Sequence, residues 1–169
     1  MTARTEAAMV RTMTWVAGGL VVALAGAFLV FFLGMRRKWT FVQNGVRRMN
    51  RRFLNPRQLR TAGSAGAYAG VIHHVGRVSG APYATPVGPF PVEGGFAINL
   101  PYGTSPDWVR NVLAAGTATL VVNGTSHELV APEVVAVTEI EQQLPAKERS
   151  TLRVFAVRQS LVLHHPPTV

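Results

Sequence analysis

The stretch "GVIHHVGRVSGAPYATPVGPF" spans residues 70–90, and its reading decides the fold. An apolar, β-branched run, "AGVIHHV" (69–75), leads into Gly76-Arg77-Val78-Ser79-Gly80. Such a run, bounded by glycine, reads as a strand. The segment that follows, "YATPVGPF" (83–90), carries Pro86 and Pro89. Proline cannot donate to a ladder, so this segment reads as an edge or interrupted strand. The turn between the two has two readings. Its glycines let backbone N–H groups face an anion, with Arg77 and Ser79 as further donors. Equally, it is a plain hairpin connection, and spacing alone favours the hairpin.

The pattern of short strands continues downstream. "GFAINLPY" (95–102) follows a Gly94-Gly95 turn, and "TATLVVNGTSHELVAP" (117–132) places two β runs around Asn123-Gly124, a strong hairpin signal. Between them lies one well-marked helix. Ser105 is its expected N-cap, Pro106 its first residue and Asp107 a carboxylate at the positive end. Val109, Val112 and Leu113 form its apolar face, and Gly116 stops it. A second helix is expected over 139–149. The tail 152–163 reads as helix or strand. These elements predict an α+β domain, a small antiparallel sheet or barrel with flanking helices.

Upstream the chain changes character. "TWVAGGLVVALAGAFLVFFLG" (14–34) holds no charge and is followed by Met35-Arg36-Arg37-Lys38. At about 1.5 Å per residue it spans a bilayer core. It is longer than a signal-peptide core and ends in a stop-transfer pattern rather than a cleavage site. The expected organisation is therefore an N-terminal tail (1–13), a transmembrane helix (14–35), a basic amphipathic neck (36–60) and a soluble domain (61–169). Gly19, Ala23 and Ala27 recur at a spacing that lets another membrane helix approach.

The formal charge of +9 belongs to the neck. Residues 36–60 contain nine Lys or Arg and no acid, whereas residues 61–169 contain six Lys or Arg and seven Asp or Glu. Basic residues beside a membrane span predict a cytoplasmic C-terminal domain at the inner (plasma) membrane, single-pass, with the neck on the anionic leaflet. Nucleic acid is not expected as a partner, because the membrane already accounts for the charge. Trp39, Val42, Val46, Met49 and Phe53 form one helical stripe, which Asn55-Pro56 is expected to end.

The chain has no cysteine, which excludes disulfides, thiolate catalysis and cysteine–zinc sites. His73 and His74 occupy adjacent strand positions and face opposite sides, and His127, His164 and His165 complete no ligand spacing. No metal site is expected. Asp107 and Arg110 are expected to pair on the helix surface. No catalytic residue is evident, since no nucleophile stands beside a histidine and an acid.

Four segments in order, "HHVGRVSGAPYATPV", "GGFAINLPYG", "PDWVRNVLAAG" and a hairpin ending in "LVAPEVV", resemble the deazaflavin-dependent nitroreductase and quinone reductase family over about residues 55–135. The resemblance implies a split β-barrel of the flavin-binding type and a cleft for coenzyme F(420), a deazaflavin carrying a phosphate and an oligoglutamate tail. It implies hydride transfer to quinones or nitro compounds, and an actinobacterial host. Carried over by position, Arg77, Ser79 and Gly80 match the phosphate loop, and Val78 occupies a position within it. Thr85, Pro86 and Val87 match the strand beside the deazaflavin, and Trp108 and Asn111 match the helix near it.

This chain departs from the pattern in one direction. Val78, Ala81 and Ala84 are small or apolar where relatives carry cations. The C-terminal region has Phe155 as its one aromatic residue, where quinone-reducing members place a tyrosine-bearing helix. A multiply anionic cofactor needs charge-assisted hydrogen bonds, so the small residues at 78, 81 and 84 predict a weakened or lost deazaflavin site. Three functions stay open: a membrane-anchored oxidoreductase acting on quinone, with Tyr83 or Tyr102 assisting protonation; a degenerate accessory subunit of a larger membrane complex; and, more weakly, a lipid or fatty-acid carrier.

Overall fold

A computed structural model describes residues 3–167. Seven strands form one antiparallel sheet: β1 (Gly70–Val75), β2 (Pro82–Val87), β3 (Pro89–Val92), β4 (Gly95–Asn99), β5 (Thr117–Val122), β6 (Thr125–Ala136) and β7 (Gln159–His164). Their order is β2-β1-β5-β6-β7-β4-β3. The two edge strands, β2 and β3, are joined by Gly88 alone. A flat sheet of this size would hold its edges roughly 29 Å apart, whereas one residue reaches about 3.5 Å. The sheet must therefore curl until its edges meet at Gly88. Prolines at 82, 86, 89 and 91 deny those edges the donors for a ladder, so the barrel stays split along that seam. The interrupted strand expected at 83–90 is thus two strands at opposite ends of the sheet order.

Strand β6 makes the corner. Residues 125–130 pair with β5 and residues 130–136 with β7, with a bulge between Val130 and Glu133 where Ala131 takes φ +49°. Inside the curl, Ile72, Leu120, Leu129, Leu161 and Leu163 are fully buried. β7 is apolar without alternation because both faces are covered. Leu161 and Leu163 point inward, while Val162 and its neighbour Ala97 pack under α5 (Val137–Ile140) and α6 (Ala146–Val154). The helix expected over 139–149 is thus broken into α5, a 3₁₀ turn (Glu141–Gln143) and α6, with Pro145 opening α6. The tail divides where Ala156 turns at φ +50° between α6 and β7.

Helix α4 (Asp107–Ala115) closes one end of the barrel with Val109 and Val112, and Gly116 caps it at φ +71°. Its N-cap is Pro106, not Ser105. The Ser105 hydroxyl instead donates to Tyr102 O at 3.1 Å and accepts from Arg47.

At the N-terminus, α1 (Ala3–Arg36) includes a segment, 11–36, long and apolar enough to cross a membrane. Its C-terminal end docks on the domain. Phe32 meets Phe155 edge-on at 5.8 Å, Met35 is buried, and Arg36 donates to the carbonyls of Arg153 and Val154 at the end of α6. A cation there satisfies orphan carbonyls and opposes the negative helix end. After a short turn the chain doubles back as α2 (Thr40–Met49), a π-helical turn (Asn50–Leu54) and α3 (Asn55–Gln58). Asn55-Pro56 therefore does not end the neck. Pro56 cannot supply the usual i→i−4 bond, and the wider turn, in which Asn55 N–H reaches Asn50 O, carries the helix past it. The expected apolar stripe divides as well. Val42 and Val46 are half-buried, and Trp39, Met49 and Phe53 are exposed.

Candidate cofactor cleft

A cleft of about 840 Å³ lies between the neck and the β1–β2 loop. On the loop side, β1 ends at Val75 and the chain turns through Gly76–Ala81. Gly76 N–H donates to Ala81 O, and Gly80 N–H to Gly76 O, each at 2.8 Å. Gly80 sits at φ +66°, a conformation that needs glycine. A Cβ on Gly76 would fall 2.5 Å from Ser79 Oγ and 2.7 Å from the Tyr83 ring, so glycine is what lets those side chains close over the turn. Ser79 Oγ accepts from Ala81 N–H and lies 3.3 Å from the Tyr83 hydroxyl.

Arg77 is held from behind. Its backbone N–H and its Nη1 both donate to Asn111 Oδ1, at 3.2 and 2.8 Å, and Nη1 also reaches Asp107 Oδ1 at 3.2 Å. With Oδ1 so committed, Asn111 Nδ2 faces His74 Nδ1 at 3.2 Å and donates to it. The ring proton of His74 then sits on Nε2 and points to Thr85 Oγ1, also 3.2 Å away. His74 is only 7% exposed and stacks on Tyr83. Burial, then the charge of His73, lowers its pKa, in keeping with the neutral tautomer that this chain of bonds requires. Desolvation alone would raise the pKa of Asp107. The hydrogen bond from Arg77 and the charges of Arg110 and Arg77 outweigh it and hold the carboxyl below its ordinary value. Asp107 does pair with Arg110, at 2.8 Å, but it pairs with the loop arginine too.

Of the residues that the sequence pattern singles out, Arg77, Val78, Ser79, Thr85, Pro86, Trp108 and Asn111 line the cleft together. Gly80 shapes the turn without lining it. Val87 does not line the cleft and is buried in the barrel core. Ala84 lines the cleft, and Val78 is 90% exposed at its rim.

The opposite wall is one that the sequence reading misses. Asn44, Arg47, Arg48, Arg51 and Asn55 of the neck line the same cleft. Three contacts hold this wall to the domain: Lys38 Nζ to Pro101 O at 3.0 Å, Arg47 Nη1 to Ser105 Oγ at 2.9 Å, and Asn50 Nδ2 to the Tyr102 hydroxyl at 3.3 Å. Burial raises the Tyr102 pKa, against the Asn50 hydrogen bond and the Arg47 charge, so its hydroxyl keeps its proton. Burial and the nearby Arg158 lower that of Lys38. The signal for this wall is present in the sequence. Positions 44, 47, 48, 51 and 55 repeat at helical spacing and are all Asn or Arg.

The cleft is thus lined by four arginines and a single carboxylate, Asp107, which is already paired. Such a site favours an anion. Among the described residues, no group of three or more His, Asp or Glu is placed to hold a metal ion.

The family model for F(420)H(2)-dependent quinone reductase matches residues 51–165. The chain belongs to this family. Among solved structures, it is similar to a domain-swapped dimer (TM-score 0.45, 14% identity, covering 72% of this chain and 98% of the other). It is also similar to an F(420)-H(2) dependent reductase, FDR-A (TM-score 0.35, 16% identity, 56% and 93%). No curated protein matches the chain. The family match begins at Arg51, so Arg47 and Arg48 of the cleft lie outside it.

Proposed function

We propose that this quinone-reductase family member is a membrane-anchored oxidoreductase that passes two electrons and two protons from reduced coenzyme F(420) to a lipid-soluble quinone, giving the quinol. One observation carries the reading. The loop residues that match the family motif and three arginines of the neck converge on a single cleft whose one carboxylate is already paired. The expected loss of the cofactor site rests on Val78, Ala81 and Ala84 alone. Cations on the facing wall offset that deficit, and the donor set suits a phosphate and carboxylates.

When bound, the deazaflavin supplies the hydride. The protein binds and orients. Arg77, fixed by Asn111 and Asp107, and the Ser79 turn would hold the phosphate. Thr85, Pro86 and Trp108 would border the ring system. Tyr83 and Tyr102 both line the cleft, and the Tyr102 hydroxyl, which accepts from Asn50, has its own proton to donate there.

The membrane setting belongs to the same proposal. The apolar helix 11–36 crosses the inner membrane once, and the Lys/Arg excess after it keeps the barrel in the cytoplasm. The cleft wall begins within the first turns of α2, so the cleft stays close to the bilayer where a quinone resides. Arg37, Arg52, Arg57 and Arg60 are exposed and do not line the cleft, and Trp39, Phe41 and Phe53 are exposed beside them. This half of the neck suits the anionic leaflet.

The test is a calorimetric or fluorescence titration of the detergent-solubilised full chain with reduced F(420), followed by addition of a menaquinone analogue. Micromolar binding and quinone-dependent loss of the reduced cofactor are expected. Absence of binding at millimolar cofactor would overturn the reading.

A further inference from the structure

The barrel meets the apolar helix at one corner, the turn between α6 and β7. Phe155 stands edge-on to Phe32, and Arg36 donates to the carbonyls of Arg153 and Val154. With 11–36 as a membrane span, these contacts fix the height of the corner. Arg36, Arg37 and Lys38 are the first charges after the uncharged run and belong at headgroup level. Phe32 precedes Arg36 by four residues, about 6 Å along a helix axis, and lies within the apolar segment. Whatever packs on Phe32 is therefore within about one helical turn of the headgroups.

The sequence of the corner, Arg153-Val154-Phe155-Ala156-Val157-Arg158, suits that height. Ala156 makes the turn at φ +50°. Val154 beside it is 45% exposed and Phe155 is half-buried, so the tip is apolar, with an exposed arginine at either end. The acids on the helices leading to the corner are engaged: Glu139 with the Ala136 N–H, Glu141 with Arg153, and Glu148 with Asn99. Lys38 and Arg158 take part in none of the ion pairs among the described residues, and burial, then the charge of Arg158, lowers the Lys38 pKa. Two cations close enough to repel, with no acid paired to either, favour an anion that both can reach.

Resting on the reading of 11–36 as a membrane anchor, we propose that the α6–β7 corner is a second membrane contact, made by the barrel itself, in which Val154 and Phe155 enter the boundary between headgroups and acyl chains while Lys38 and Arg158 take the phosphate of an anionic phospholipid. This contact is separate from the cleft and from the basic half of the neck. It gives the barrel a support that a lone tether lacks, and so holds the cleft in one orientation to the leaflet. Lys38 links the two regions, because its Nζ donates to Pro101 O beside Tyr102 of the cleft.

The chain has no cysteine, so single cysteines can report on position. Leu24→Cys, Val154→Cys and Glu93→Cys variants of the full chain, each carrying an environment-sensitive fluorophore, are placed in nanodiscs whose lipids bear a nitroxide quencher at shallow or deep positions. All three sites are exposed, and an unchanged thermal transition would show that each variant folds. Glu93 precedes β4 at the end that pairs with His164, the opposite end of β7 from the corner. The label at 24 should be quenched by the deep nitroxide. The label at 154 should be quenched by the shallow nitroxide severalfold more than the label at 93, and more in phosphatidylglycerol than in phosphatidylcholine. Arg158→Gln should remove most of that lipid difference and leave quenching at 24 unchanged. Quenching at 24 with none at 154 beyond the level at 93 would overturn the proposal, leave the anchor standing and free the corner for a protein partner. No quenching at 24 would overturn both readings. Equal quenching at 154 in the two lipids, with no response to Arg158→Gln, would overturn the anionic headgroup site.

Discussion

The two walls of the cleft are built on opposite principles. The loop wall spends its hydrogen bonds inward. From Thr85 through His74 and Asn111 to Arg77 and Asp107, each polar group is held by the next, and the one cation is neutralised in part before any ligand arrives. The neck wall is tied to the barrel by hydrogen bonds from Lys38, Arg47 and Asn50, and its three arginines take part in none of the ion pairs among the described residues. The first wall is rigid and poor in available charge, and the second is lightly held and rich in it. Pre-organisation and electrostatic attraction, often found on one element, are here divided between two.

The comparison is broken most severely at Asn111. Asn111→Leu keeps roughly the same volume but removes the acceptor for two Arg77 donors and the donor to buried His74. Hydrogen bonds to a charged group contribute about 1.5–3 kcal/mol, and an orphaned buried acceptor adds a similar cost. Urea unfolding followed by intrinsic tryptophan fluorescence should register a loss of about 2–4 kcal/mol. A loss under about 0.5 kcal/mol, the scale of an ordinary surface change, would mean that the chain of bonds does not hold the loop.

Acid should loosen the same wall. An unfolded histidine titrates near 6.5, and His74 is held lower in the fold. Between those two values the unfolded chain binds the extra proton. The stability associated with the neutral ring is complete above 6.5 and falls as pH drops below it. The Asp107 carboxyl is held below the ordinary carboxylate range, so its contribution is lost only in more acidic solution, which separates the two windows. The midpoint of unfolding should decline from about pH 7 to about pH 5 in the wild type, and His74→Gln should remove most of that slope. An unchanged slope in the variant would take His74 out of the account.

The loop wall was legible because its parts are local. The β-branched run, the glycine turn and the Asn123-Gly124 hairpin each follow from a few adjacent residues, and so does the αL stop at Gly116. Local rules failed where a tertiary partner competed. Ser105 is spacing-perfect as a cap, yet its hydroxyl serves Tyr102 and Arg47 while Pro106 opens α4. Pro56 should end a helix, yet a π turn absorbs it. Val87 belongs to the motif strand, yet it is buried in the barrel core rather than at the cleft. The neck arginines were hidden for another reason. A basic amphipathic helix after a membrane-length span suits a lipid surface and a cleft equally well, and only its fold back over the barrel separates the arginines that line the cleft from those that do not.

A gentler perturbation separates the walls further. Ser105→Ala removes the tether of Arg47, an exposed hydrogen bond that should contribute less than about 1 kcal/mol to global stability. Its effect should be local. Hydrogen exchange over residues 40–58 should quicken while β1 and β5 keep their protection. Protection lost equally in the barrel would mean that the neck is part of the cooperative core rather than a wall laid against it.

The smallest effect on stability is expected at Val78, and it tests the division of labour directly. This side chain is 90% exposed, so Val78→Lys should move the unfolding midpoint by no more than about 0.5 kcal/mol. It restores a cation to a wall short of them, beside the turn where a phosphate would sit. Reduced F(420) should then bind severalfold more tightly, because the new charge lies on the wall that is short of it. If Val78→Lys left phosphate affinity unchanged, the loop would not be limited by charge, and the small residues at 81 and 84 would have to be explained by the shape of what enters the cleft.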